Sequence, residues 1–122
     1  MFQIDPLSRI PIYEQLIEQI EKFILSDIFQ PDEQIPSVRT LSIEYSINPR
    51  TVLKAFSELD ERGIIRPVPG KGYFVCSDAK EKLHQSNMKL FEALSQQIKS
   101  LAKAGISKED IIKKVNSIYE DL

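Results

Sequence analysis

A chain of 122 residues, 42% hydrophobic and 28% charged, has the length of one domain with room for an appendage. Its composition is that of an ordinary folded protein and excludes a disordered one. The single cysteine, Cys76, excludes an internal disulfide framework and fits a reducing compartment. A net charge of −2 argues mildly against a nucleic-acid partner until its distribution is read: residues 1–35 carry −5, residues 36–76 carry +2 and residues 77–122 carry +1. That local excess suits binding at a site better than indiscriminate coating of DNA.

No apolar run approaches about 20 residues, so no membrane contact is expected. The start, Met1-Phe2-Gln3-Ile4-Asp5, lacks the basic and apolar parts of a secretion signal, and a cytoplasmic location follows as an expectation.

Pro11 is placed to open a first helix at its first helical position. Ile12, Leu16, Ile17, Ile20, Phe23 and Ile24 then recur at three- and four-residue steps, with Glu14, Glu18, Glu21 and Lys22 on the other side. A polar connection, Gln30-Pro31-Asp32-Glu33-Gln34, leads to a second helix capped by Ser37, with Val38, Leu41, Ser42 and Tyr45 on one face. Asn48 caps a third helix with Pro49 at its first position, and Ile47 and Val52 form a hydrophobic staple. Val52, Ala55, Phe56 and Leu59 are its core face, and Gly63 is placed to end it. Only Tyr45-Ser46-Ile47 separates the second and third helices, the spacing of a helix-turn-helix.

Arg39 and Arg50 each fall at the second position of a helix, where the dipole is positive and an arginine costs a few tenths of a kcal/mol, roughly. Both helix starts are also expected to offer free N–H groups to anions. Two cationic helix starts predict a partner with regularly spaced negative charge, and nucleic acid fits. In a helix-turn-helix the second helix reads base edges from its N-terminal end. Arg50 and Thr51 are therefore the candidates for groove contacts, with Lys54 one turn on, and Arg39 for a phosphate clamp. Ser37 and Asn48 read first as caps, each with a backbone N–H that can also face a phosphate.

Two short apolar runs follow, Ile64-Ile65-Arg66-Pro67-Val68 and Tyr73-Phe74-Val75-Cys76, around Pro69-Gly70-Lys71-Gly72. They predict a β-hairpin whose first strand, holding Pro67, is an edge strand. As a wing, it would let its backbone approach DNA closely at Gly70 and Gly72, with Lys71 reaching a groove wall or phosphate; as structure alone it is only a turn. It lacks the Lys-Ser/Thr ending of a phosphate-binding loop. The fold class expected is mainly α with a small β-hairpin: a winged helix-turn-helix over residues 1–76, then a two-helix dimerisation tail over residues 77–122.

In that tail Phe91, Leu94, Ile98 and Leu101 form a coiled-coil-like stripe. Gly105 breaks it, and Ser107 with Asp110 resembles a capping box. Ile111, Val115, Ile118 and Leu122 form a second stripe. A two-helix hairpin cannot bury both, so the tail is expected to pair with a second copy rather than fold back on the first helix. His84 and Cys76, the only histidine and cysteine, do not make a metal site, and no catalytic constellation or cofactor motif emerges. Neither an enzyme nor a cofactor is therefore expected.

Residues 11–76 resemble the GntR family of bacterial transcription regulators. The resemblance runs through Pro11-Ile12-Tyr13-Glu14-Gln15-Leu16, Ile35-Pro36-Ser37-Val38-Arg39-Thr40-Leu41, Arg50-Thr51-Val52, Ala55-Phe56-Ser57-Glu58-Leu59, Gly63 and Gly70-Lys71-Gly72-Tyr73-Phe74-Val75. It implies a winged helix that binds double-stranded operator DNA as a homodimer, with contacts on Ser37, Arg39, Asn48, Arg50, Thr51, Gly70 and Gly72. The short helical tail resembles the YtrA subfamily, which implies a compact repressor of a transporter-type operon. It leaves little room to enclose a metabolite, so a small-molecule effector would bind between subunits. The chain departs from the family pattern at Asp32, where glycine is usual, and at Pro49, where many members carry a polar or basic residue. The rival reading is a winged-helix adaptor that binds protein and has no operator of its own.

Overall fold

The computed structural model describes residues 1–122 as two compact units, Met1–His84 and Gln85–Leu122. The elements are α1 (Ile12–Leu25), α2 (Val38–Tyr45), α3 (Pro49–Glu61), β1 (Ile65–Val68), β2 (Gly72–Val75), α4 (Ala79–Lys103) and α5 (Lys108–Glu120). The division between units falls inside α4, because Ala79 and Leu83 in its first turns are buried in the core of the first unit.

That core holds most of the apolar positions the periodicity marks, with Ile12 and Phe23 half-buried at its edge, and adds Phe2, Phe29 and Ile35 from outside the regular elements. Leu16, Ile17, Ile20 and Ile24 of α1 meet Leu41 of α2 and Val52, Ala55, Phe56 and Leu59 of α3, all buried. Each of these side chains larger than Ala55 contributes about 1.5–3 kcal/mol of transfer free energy. Pro11 lies one residue outside α1 rather than at its first position. Its ψ of 147° is extended, and its carbonyl accepts the Gln15 N–H at 3.1 Å. Gly63, at φ 73°, ends α3 with a Schellman pair: its own N–H donates to the Asp60 carbonyl and that of Ile64 to the Leu59 carbonyl, both at 2.9 Å.

Residues 1–10 form no regular element, yet side chains of α1 and α2 hold them down. Gln15 is buried and exchanges bonds with the Asp5 backbone, at 2.9 Å in each direction, while also donating to the Ile10 carbonyl at 2.8 Å. The Tyr45 hydroxyl accepts the Phe2 N–H at 3.1 Å. The Phe2 ring meets Phe23 and Tyr45 edge-on, with centroids 5.2 and 5.8 Å apart.

Strands β1 and β2 pair antiparallel, Ile65 opposite Val75 through Val68 opposite Gly72. Pro67 lies on β1, the outer strand, where its missing donor costs the sheet nothing. The chain before α2 runs along the other side of β2. Asp32 N–H donates to the Val75 carbonyl, Val75 N–H to the Glu33 carbonyl, and Ile35 N–H to the Tyr73 carbonyl, at 2.9–3.0 Å.

The turn at Asp32 keeps the geometry that glycine favours. Glu33 N–H donates to the Gln30 carbonyl at 3.1 Å, Pro31 is the second turn residue, and Asp32 as the third has φ 63°. This is the type II pattern. A left-handed residue other than glycine costs roughly 1–2 kcal/mol, least for Asp and Asn. Asp32→Gly is therefore expected to leave urea stability within about 0.5 kcal/mol of wild type, since relief of strain offsets added chain entropy and a lost exposed ion pair. Asp32→Val should lose about 1–2 kcal/mol in the same denaturation.

In the second unit α5 buries no residue, and the part of α4 beyond His84 buries none either. Ser107 caps α5 as its sequence predicts, accepting the Asp110 N–H at 3.1 Å. Gly105 separates the two helices at φ 95°.

Candidate nucleic-acid interface

The two helix starts form as read. The Ser37 hydroxyl accepts the Thr40 N–H at 3.0 Å, and the Asn48 side chain accepts the Arg50 N–H at 2.9 Å. Val38 and Pro49 are the first helical residues, so Arg39 and Arg50 both stand second. Their backbones differ, however. In α2 the N–H groups of Val38 and Arg39 have no partner within the chain. In α3 Pro49 has no N–H, Asn48 Oδ1 takes that of Arg50, and the Asn48 carbonyl takes those of Thr51 and Val52 at 2.9 and 3.3 Å. The expectation of free donors at both starts is thus corrected. The start of α2 can hold an anion with two helical N–H groups, whereas α3 keeps only the N–H of its cap, Asn48, and otherwise acts through side chains.

Ion pairing separates the cations of residues 36–76. Arg62 bonds Glu21 of α1 at 2.7 Å, and Arg66 lies 3.7 Å from Asp32 and over the Phe74 ring. Lys54 turns sideways, its ammonium 3.9 Å from the centre of the Tyr13 ring on α1. A hydrogen bond to Glu14 raises the Tyr13 phenol above its ordinary pKa. Arg39, Arg50 and Lys71 are exposed and meet no carboxylate. The cations free to meet an outside anion are those of the two helix starts and the wing tip.

Contacts within the first unit tie the three carriers together. Phe56 of α3 stacks edge-on against Tyr73 of β2, with centroids 4.8 Å apart. The Gln34 amide, three residues before Ser37, donates to the Lys71 carbonyl in the wing turn. Lys71 N–H closes that turn on the Val68 carbonyl at 3.0 Å, and Gly70 at its centre has φ 76°. Gly72 has φ 124°, and a Cβ there would lie 3.0 Å from the Gln34 amide nitrogen. Both wing glycines thus have a conformational reason to be there, and nothing lies within 4 Å above Gly70. Thr51 is half-buried behind Arg50 on α3.

Sequence reading missed the roles of Gln34 and Tyr13. Both are polar or aromatic side chains whose partners lie far along the chain, and periodicity carries no signal for them. His84 is exposed on α4, and Cys76 is half-buried, with burial pushing its thiol pKa up.

A helix-turn-helix with a hairpin wing, and free cations on both, defines a DNA-binding transcription regulator. The gntR family of bacterial regulatory proteins matches residues 12–75, and the chain belongs to that family. It is 38% identical over 123 residues to the transcriptional repressor YtrA of Bacillus subtilis, spanning all of this chain and 95% of that one, which puts it in the YtrA branch. Among solved structures it is similar to a transcriptional regulator from Oenococcus oeni, 34% identical with a TM-score of 0.68 over 98% of this chain and 99% of that one. YtrA from Sulfolobus acidocaldarius matches with 31% identity and a TM-score of 0.61, covering 77% of this chain and 97% of the other. The DNA-binding domain of AraR in complex with operator ORR3 matches with 29% identity and a TM-score of 0.54, over 62% and 95%.

Proposed function

We propose that this protein is a cytoplasmic, homodimeric repressor that blocks transcription by occupying a two-fold operator, and that it controls a transporter-type operon. The observation that carries the DNA-facing part is the sorting of cations. Arg62 and Arg66 are engaged by carboxylates, whereas Arg39, Arg50 and Lys71 stand free. Arg39 and the open N–H groups of α2 act as a phosphate clamp, Arg50 reads a base edge with Thr51 beside it, and Lys71 with Gly70 and Gly72 follows the backbone. Ser37 and Asn48 hold these helix starts in shape. Lys54, drawn over Tyr13, borders the contact.

The dimer rests on the tail. Phe91, Leu94, Ile98 and Leu101 are 36–65% exposed, as are Val115 and Ile118, while Ile111 is only partly covered. A 13-residue helix with no buried side chain, as α5 is, has marginal stability in water. A second copy with the same stripes supplies the missing cover, and spaces two heads about one helical turn, ~34–36 Å, apart. Any small-molecule effector would bind between the two subunits.

Titration of promoter fragments at several salt concentrations tests the reading. With two or three phosphate contacts in each of two heads, log affinity should fall against log salt with a slope of about −4 to −5. Absence of sequence-specific binding at every salt concentration would overturn it in favour of a protein-binding adaptor.

A further inference from the structure

On α3 the core residues Val52, Ala55, Phe56 and Leu59 are all buried, so the opposite face points outward from the first unit. Steps of three and four residues from Arg50 along that face reach Leu53 and then Ser57. Leu53 is 43% exposed. A single exposed leucine is ordinary on a protein surface. This one stands on the recognition helix, one turn beyond the free Arg50, while its neighbour Lys54 is drawn aside over Tyr13. Pro49, with no polar group in its side chain, removes the first helical position from hydrogen-bond readout. Besides the half-buried Thr51, the outward face therefore offers a base pair one guanidinium, one apolar branched side chain and one small hydroxyl.

In the major groove the only apolar mark on a base is the C5-methyl of thymine. We infer that Leu53 reads a thymine methyl beside the base pair that Arg50 reads, making it a specificity-determining residue of this chain. The helix rises ~4.5 Å between the two residues, comparable to the 3.4 Å step between bases of one strand, so neighbouring pairs fall within reach. The inference rests on the proposed docking of α3 in the major groove. It adds that part of the sequence preference is apolar and therefore insensitive to salt. The flanking cations make DNA, rather than an apolar protein partner, the occupant of this patch.

The test uses the full-length protein and the duplex that it selects most strongly from random DNA, with each thymine replaced in turn by deoxyuridine. This replacement deletes one methyl and leaves every hydrogen-bonding group of the base in place. One position in each half-site should weaken the wild type about fourfold, the value of one methyl group removed from water. The same replacement should leave Leu53→Ala unchanged. Alanine at this exposed site favours the helix, and a matched melting curve checks that the fold is kept. Specific binding by the wild type with no sensitive thymine, or sensitivity that persists in Leu53→Ala, overturns the role of Leu53 alone. Selection of no sequence by the wild type overturns the groove docking and the role of Leu53 together.

Discussion

Arg50→Ala is expected to weaken operator binding by about 1–3 kcal/mol, the worth of a bidentate guanidinium on guanine, with a much smaller loss on unrelated duplex. The backbone of α3 is the reason for this asymmetry. Every N–H of its first helical turn is satisfied internally or absent, which leaves only the N–H of the cap, Asn48, for a phosphate. What it presents is the Arg50 side chain, exposed and free of carboxylates, at a position where the helix dipole gives no support. Arg39→Ala makes the contrast. Beside two open backbone donors, Arg39 is suited to a phosphate, so its loss should lower affinity for every duplex alike and reduce the salt slope by about one per head. Competition binding with operator and random duplexes at two salt concentrations separates the two patterns. An equal loss on both duplexes for Arg50→Ala would reassign it to the backbone.

Leu94→Asp or Ile98→Asp is expected to convert the proposed dimer to monomers in sedimentation, and to reduce operator affinity by about 10²–10⁴ as its two heads become unlinked. Both residues lie on the α4 stripe, 44% and 36% exposed within a single chain, so a carboxylate at either can still reach water there. In a dimer the same carboxylate would be desolvated against apolar neighbours, at a cost of several kcal/mol that no pairing offsets. Helix α5 should lose helicity in the same variants, because it has no buried side chain to hold it otherwise. A variant that remains dimeric would move the association surface off this stripe.

Much of the fold was legible because its signals are short-range. The Ser37, Asn48 and Ser107 caps each bond a backbone group two or three residues ahead, and the core face of α3 repeats within one turn. Rules of that span depend only on neighbouring residue types, so they survive without knowledge of the rest of the chain. Asp32 is instructive in the same way. It departs from the family pattern, yet an aspartate can adopt the left-handed conformation, and the type II turn forms around it.

The electrostatic character of the candidate site was not legible. Residues 36–76 contain six basic side chains, and charge counting cannot sort them. Arg62 finds Glu21 across 41 positions, Lys54 finds the Tyr13 ring on another helix, and Gln34 reaches the wing across 37. Residues 1–10 are held by Gln15, Gln19 and Tyr45 without any regular element for periodicity to detect. The sequence alone determined the helices, their caps, the hairpin and the apolar stripes, since each is settled by contacts within about one turn of the chain. Only the tertiary structure decided which cations stand free, that Gln34 ties the wing to the chain before α2, and that residues 1–10 are pinned to α1 and α2. Those outcomes depend on partners brought together by packing, and no local rule contains them.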